Sequence, residues 1–310
     1  MLFGLRLPTS FSPEKDIPSL EGKVILVTGG SDGLGKQSVL DLARHRPALI
    51  WIAVRNLDKA KAAVEEIKQD VPDASIKLLH LDLSSLDSVD KAARVFKEQA
   101  DRLDVLLLNA GTMSFGEGVT ADGYEVHFGV NHVGHALLTK LLLPVLLRTA
   151  ESGADVRVVL LSSTAYLVAP YGGIKYNTVK GPAENLWMMQ RYGQSKLAVK
   201  LFAWQLAKLY PQLTVASVSP GLVKTNIVEE DNAMPCILRP GKAFLRATMM
   251  STVENGARNQ LWASVSKDVQ SGAYYEFVGV PTKLREGAQD MWAAELWRWT
   301  EKELELYNLH

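Results

Sequence analysis

The sequence predicts an α/β protein: one doubly wound parallel sheet with helices on both faces. Three observations carry this expectation. Short continuous runs of apolar, β-branched residues recur from residue 23, as strands buried on both sides require. Amphipathic stretches such as LDKAKAAVEEIKQD separate the first of these runs. A glycine-rich turn, TGGSDGLG (28–35), joins the first run to a helix-forming stretch.

The strand-like runs are KVILVT (23–28), ALIWIAV (48–54), IKLLHL (76–81), DVLLLN (104–109), RVVLLS (157–162), TVASVS (214–219) and AYYEF (273–277). In an open sheet of this kind ligands bind beyond the carboxyl ends of the strands, so each run is followed to its end for candidate residues. Two segments interrupt the rhythm, 164–190 and 222–250, and both leave strand ends on the ligand side. Trp292, Leu296 and Trp299 have helical spacing, predicting a C-terminal helix packed on the body.

Length and composition fit one domain. The chain has 310 residues, 47% of them hydrophobic, which allows a single core over residues 21–310 after an N-terminal extension, 1–20. Lys plus Arg balance Asp plus Glu at 34 each, so no net field draws nucleic acid or an anionic membrane. The one cysteine, Cys236, excludes an intrachain disulfide framework and fits a reducing, cytoplasmic setting. No signal peptide or run of about 18 apolar residues is visible, so no membrane span is expected. HALLTKLLLPVLL, interrupted by Lys140 and Pro144, reads as a buried helix.

The turn after the first strand suits a phosphate group. Gly29, Gly33 and Gly35 permit a tight turn and close backbone approach, and with Ser31, Asp32 and Leu34 they open a helix N-terminus. After the second strand, where a ribose-binding acid would stand, Ala53 and Val54 are followed by Arg55 and Asn56. A guanidinium can clamp a 2′-phosphate that a carboxylate would repel, so the residue types favour NADP(H) over NAD(H). Asp82, with Leu83 beside it, could meet an adenine amino group or cap the next helix. In LNAG, Asn109 can tie strand ends together while Ala110 and Gly111 leave room for a cofactor.

Residues 171–196 hold three tyrosines with a lysine four places on: Tyr171–Lys175, Tyr176–Lys180 and Tyr192–Lys196. An ammonium one helical turn from a phenol can lower its pKa toward acid–base use. That needs a helix. Two glycines weaken the first pair; Thr178, Val179 and Gly181–Pro182 weaken the second. Tyr192–Lys196 leads into SKLAVKLFAWQLAKLY, a well-patterned amphipathic stretch, and is preferred.

TGGSDGLG, LNAG, the asparagine of VNHVGH, LLSS, YGQSK and SPGLVKT occur in this order and together resemble the short-chain dehydrogenase/reductase family. AVRN, VNHVGH and the long interval before YGQSK are most similar to its retinol-dehydrogenase-like members. The resemblance covers about residues 20–225 and implies a Rossmann-type oxidoreductase. It implies that Tyr192 is the general acid or base, that Lys196 tunes it and bonds the nicotinamide ribose, and that Ser163 steadies the substrate oxygen. Asn131 would hold a water in a proton relay. Pro220, Gly221, Val223 and Thr225 would lie against the nicotinamide. The serine–tyrosine spacing common in the family points to Tyr176, since Tyr192 follows Ser163 by 29 residues; Tyr176 is therefore the rival, and Ser162 is the rival to Ser163.

This set suits hydride transfer. Charge building on a carbonyl oxygen needs a hydrogen-bond donor and then a proton, which Ser163 and Tyr192 would supply without a metal. His127, His132 and His135 have only Glu125 nearby as an acidic ligand, so no metal site is expected. Tyr166, Leu167, Val168, Trp187, Met188 and Met189 suggest a lipophilic, fairly large ketone or alcohol as small-molecule partner, or lid packing. Family resemblance adds a homodimer through helices at about 121–148 and 192–210. The alternative is a cofactor-binding sensor or scaffold with lost or altered chemistry.

Overall fold

The computed structural model describes residues 9–114, 116, 118–221, 223, 251–282 and 288–307. Among these residues eight strands form one sheet: β1 (Val24–Thr28), β2 (Leu49–Val54), β3 (Ile76–His80), β4 (Val105–Leu108), β5 (Arg157–Leu161), β6 (Thr214–Val218), β7 (Tyr274–Phe277) and β8 (Val280–Thr282). Their order is β3-β2-β1-β4-β5-β6-β7-β8. β1 to β7 run parallel and β8 returns antiparallel from β7. The first seven are the runs expected from the sequence. β8 was not anticipated: it is three residues long and contains Pro281, a residue tolerated only where no ladder donor is needed, as at a sheet edge.

Alternation along the central strands explains the two layers of helices. Ile25, Val27, Ile50 and Ile52 face one apolar cluster, while Leu26, Trp51 and Leu106 face the other. The first cluster takes Leu34, Val39 and Leu42 of α2 (Gly33–Ala43), Ala60, Val64 and Ile67 of α3 (Leu57–Asp70), and Ala257 and Leu261 of α8 (Val253–Val265). The short α1 (Pro13–Asp16) lies on this side too, with Phe11, Ile17 and Leu20 buried around it. The second takes Val89 and Phe96 of α4 (Leu86–Gln99), Leu137 and Leu141 of α6 (Gly134–Glu151), Leu201 of α7 (Met188–Leu209) and Leu296 of α9 (Ala288–Glu303).

The helix expected from about residue 121 begins at Val126: a short α5 (Val126–Phe128) passes through a π-helical turn, Gly129–Val133, into α6. Val126–Glu151 is long and apolar enough to cross a membrane by length and composition, which corrects the reading that no such segment exists; 72% of its most apolar window is buried inside the fold. α9 covers α6 and α7. Trp297 stacks on Phe202 at 5.4 Å, Lys140 pairs with Glu301 at 2.7 Å, and His132 meets Thr300 Oγ1 at 3.0 Å. The expected C-terminal helix is therefore present, with Leu296 on its buried side.

His132 and His135 are buried at the start of α6. Burial pushes His132 down to about 3, with His135 adding to it. Burial likewise lowers His135 to about 4, against a backbone hydrogen bond to Asn131 that raises it; Lys196 lowers it further. Both are neutral when folded and bind a proton more readily when unfolded. Stability is therefore full above pH 6.5 and is lost as pH falls toward 4, by up to about 1.4 kcal/mol per pH unit per histidine. Urea unfolding between pH 7 and 4 should show this fall, with a shallower slope for His132→Asn; equal slopes would refute it.

Candidate active site

The strand order reverses between β1 and β4, so their outgoing connections diverge and leave a crevice at the carboxyl end of the sheet. The glycine-rich turn borders it. Gly29 and Gly33 have φ +69° and +48°, values that side chains resist. A Cβ at Gly35 would run into the Gly29 carbonyl oxygen and lie 2.5 Å from Asn109 Nδ2. Asp32 caps α2 by accepting from Gly33 N at 2.7 Å and pairs with Lys59 Nζ at 2.8 Å. Ser31 is half-buried in the same turn, and Leu34 is buried behind it. Positive φ at positions 29 and 33 and close packing at 35 thus make glycine the residue that suits these three places.

Arg55 is exposed just beyond β2, two residues after Ala53, whose carbonyl accepts from Gly29 N of this turn at 2.8 Å. Asn56 spends its side-chain oxygen capping α3 through Lys59 N at 2.9 Å. Lys59 itself, not singled out from sequence, thus reaches the turn through Asp32. Asp82 is not the cap of α4, which is Ser85; its Oδ1 accepts from Ser84 N (2.9 Å) and Ser84 Oγ (2.6 Å) in the turn before that helix. Leu83 is buried against Gly134, where a Cβ would lie 2.6 Å from the Leu83 carbonyl oxygen.

Asn109 ties strand ends together, as expected. Its Nδ2 donates to Thr28 O at 2.9 Å, and its Oδ1 accepts from Gln260 Nε2 of α8 at 3.2 Å. Ala110 N donates to Thr28 Oγ1 at 3.0 Å, and that hydroxyl meets His135 Nε2 at 3.0 Å. His135 Nδ1 faces the Asn131 carbonyl at 3.2 Å. A carbonyl can only accept, so the neutral ring donates from Nδ1 and receives the Thr28 hydroxyl at Nε2. Gly111 leaves space in front of the next group: a Cβ there would lie 3.1 Å from Asn131 Oδ1 and 3.4 Å from Lys196 Nζ.

Asn131 sits in the π-helical turn with its side chain engaged by protein. Oδ1 accepts from Thr112 N at 2.8 Å; Nδ2 donates to Thr112 O at 3.1 Å and Ser195 Oγ at 2.9 Å. Ser195 Oγ in turn donates to Tyr192 O at 2.7 Å. Glu125 and His127, weighed from sequence only as metal ligands, bond each other at 2.6 Å, and the His127 ring stands edge-on to Tyr192 at 5.9 Å.

Tyr192 and Lys196 lie one turn apart on α7, both buried. Gly193 permits this placement, since a Cβ there would lie 2.5 Å from Ala165 O in the 3-10 turn Thr164–Val168. That close approach brings Ser163, which caps the turn through Ala165 N at 3.2 Å, beside Tyr192. Burial pushes the Tyr192 phenol up to about 12, with the hydrogen-bonding Ser163 side chain pulling the other way. Burial also pushes Lys196 down to about 8. The expected lowering of Tyr192 by Lys196 is thus corrected for the protein by itself. The amine lies 5.6 Å from the ring centroid and donates to Leu161 O at 2.9 Å, so desolvation dominates.

The rivals lie elsewhere. Ser162 Oγ donates to Lys196 O at 2.8 Å and braces α7. Tyr176 packs at a tilt on Trp299, 5.6 Å away, and Lys180 pairs with Glu303 at 2.6 Å, so that pair faces α9. Tyr171 is fully exposed. Of the apolar residues in 164–190, Leu167, Val168 and Trp187 are exposed, Met188 and Met189 half-buried, and Tyr166 buried. Beyond β6, Pro220 is half-buried, Gly221 adopts φ +74°, and Val223 packs against Gly256, where a Cβ would lie 2.5 Å from Val223 Cγ2 and 2.8 Å from Leu34 Cδ2. Thr225, Cys236 and nearly all of 222–250 lie outside the described residues. The sequence carried no signal for Asn259 or Gln260, polar residues in an otherwise ordinary helix. Asn259 Nδ2 holds Ser219 O (2.8 Å) and Tyr275 O (2.9 Å).

The family model described as short chain dehydrogenase matches residues 23–191. An uncharacterized oxidoreductase from Schizosaccharomyces pombe is 37% identical over 295 residues, 93% of this chain and 86% of that protein. Retinol dehydrogenase 12 from Mus musculus is 36% identical over 260 residues, 83% of this chain and 78% of that protein. Among solved structures, an uncharacterized protein from Mycobacterium paratuberculosis has a TM-score of 0.72 at 26% identity, covering 95% of this chain and 97% of that one. A short chain dehydrogenase from Escherichia coli CFT073 complexed with NADPH has a TM-score of 0.63 at 22% identity, covering 85% and 99%. With the motifs in order on this fold and the match running through most of its length, the chain belongs to the short-chain dehydrogenase/reductase family, oxidoreductases acting on alcohol and carbonyl groups, and has retinol-dehydrogenase-like relatives.

Proposed function

We propose that this protein moves hydride between NADP(H) and a lipophilic ketone, aldehyde or alcohol, with Tyr192 as proton donor and acceptor. The observation that carries the reading is the Tyr192 phenol beside Ser163, one turn from a buried Lys196, at the carboxyl end of the sheet. The glycine turn would hold the pyrophosphate, Arg55 and the nearby Lys59 the 2′-phosphate, and Asn109 to Gly111 the central part of the dinucleotide. Asn131, Lys196, Pro220, Gly221, Val223 and Thr225 are proposed around the nicotinamide end. When bound, that ring supplies or accepts the hydride.

The chain's own residues then handle the proton. With its pKa pushed up to about 12, Tyr192 keeps its proton near neutrality and suits carbonyl reduction as an acid. Ser163 would donate to the same substrate oxygen. A charged Lys196 would steady the phenolate left behind, while Asn131, through Ser195, holds the Tyr192 carbonyl and hence this turn of α7. The NADPH held by the E. coli relative, and the lack of a carboxylate at Ala53 and Val54, support NADP(H) over NAD(H). Exposed Leu167, Val168 and Trp187 support a lipophilic substrate. A homodimer through α6 and α7 would have to form around α9, which already covers them. The single cysteine, Cys236, supports a cytoplasmic setting.

Tyr192→Phe should lower NADPH-dependent reduction of hydrophobic carbonyls by about 10²- to 10⁴-fold while NADPH still quenches tryptophan fluorescence. Undiminished turnover would remove Tyr192 from the role. NADPH binding by a wild type inert to every such carbonyl would favour a sensor instead. Arg55→Ala should weaken NADPH far more than NADH in the same titration; equal losses would reject the 2′-phosphate contact. Because Lys196 gives up its charge near pH 8, the reduction rate should decline as pH rises through that value. A flat profile from pH 7 to 9 would argue against a charged Lys196.

A further inference from the structure

Lys200 lies one helical turn past Lys196 on α7 and is 2% exposed. Its ammonium has no hydrogen-bond partner among the described residues. Instead Nζ stands 4.0 Å from the ring centroid of Tyr166 and 4.2 Å from that of Tyr274. The two rings meet edge to face at 5.2 Å. An apolar side chain could fill the same volume without taking a charge out of water, so packing alone does not explain a lysine here. Burial pushes it down to about 8, while the Glu276 charge pulls it back up. Two aromatic faces offer a cation what the missing hydrogen bonds do not.

Each ring belongs to a segment that borders the site. Tyr166 N donates to Ser163 O at 3.1 Å, within the turn that Ser163 caps. Tyr274 belongs to β7, whose next residue, Tyr275, accepts from Ser219 N at 2.8 Å; Ser219 stands directly before Pro220 and Gly221. The stem of Lys200 is anchored in the helix that presents Tyr192. One ammonium therefore touches all three segments, adding to the hydrogen bonds by which Ser162 and Lys196 already tie the end of β5 to α7.

We propose that Lys200 is a positioning residue for proton transfer: its buried ammonium, gripped between the rings of Tyr166 and Tyr274, fixes the Ser163 turn and strand β7 against the helix carrying Tyr192. The assignment rests on the roles proposed above for Tyr192 and Ser163. Lys200→Met should lower kcat by about 10- to 100-fold with KM for NADPH unchanged, as expected for a misplaced donor. Lys200→Arg, which keeps a cation between the rings, should recover most of that loss. Tyr166→Phe, which keeps the ring, should stay near wild type.

The clamp is also read without cofactor. In urea unfolding of Lys200→Met, Tyr166→Leu and the double variant, the double variant's unfolding constant should differ about five- to tenfold from the product of the single effects. Additive effects, or a Lys200→Met protein with wild-type kcat, would overturn the proposal. So would failure of Lys200→Arg to recover activity in a folded, NADPH-binding protein. If Lys200→Met does not fold, Tyr166→Leu alone decides: the same loss of kcat supports the clamp and wild-type kcat overturns it. A wild type inert toward all carbonyls would instead remove the roles of Tyr192 and Ser163, and the unfolding cycle would still decide whether the clamp exists.

Discussion

The site depends first on the tie between the carboxyl ends of β1 and β4. Asn109 donates across to Thr28 O, and the Thr28 hydroxyl stands between Ala110 N and His135. These groups are buried, so each bond left unmade would cost more than one made in water contributes. The tie holds the glycine turn after β1 at a set distance from the LNAG segment after β4. Gln260 reaches in from α8 to complete Asn109, so helices on both faces of the sheet help define one crevice.

From that tie the rest follows by contact. His135 passes the constraint to the Asn131 carbonyl, and the Asn131 side chain passes it to Thr112 and, through Ser195, to α7. Asn131 lies in a π-helical turn, a locally widened turn of a kind often found at functional positions. Gly193 then lets α7 pass so close to the turn after β5 that Ser163 and Tyr192 become neighbours. A glycine that weakens a helix by about 1 kcal/mol in isolation is here the condition for bringing two hydroxyls together.

Burial governs the electrostatics of the group. A phenol and an amine enclosed together are each driven toward their neutral forms. Tyr192 rises and Lys196 falls, so the pair in the protein by itself is a proton-loaded acid beside a readily discharged base. Spacing on the helix is necessary for the pair to cooperate, but it does not set the sign of the shift. The surrounding solvent exclusion sets it.

Much of the fold was legible because its signals are local. Strands buried on both faces must be continuously apolar, so the seven parallel strands stood out, as did the amphipathic α3 and the tryptophan-spaced α9. The glycine turn, Asn109, Ser163 and Tyr192 with Lys196 could be picked out by motif and helical spacing. Left to tertiary structure were the residues whose meaning comes from what they face: Asn56 as a helix cap, Asp82 bonded to Ser84, Lys59 at the glycine turn, Asn259 and Gln260 bridging strand ends, and Lys200 between two tyrosines. The sequence by itself determined the order of elements and the identities of the groups able to do chemistry, since both are written in short-range pattern. Which serine meets the phenol, how far desolvation moves each proton, and what covers α6 and α7 were decided only by the assembled protein, because solvent exclusion and contact between distant segments have no counterpart along the chain.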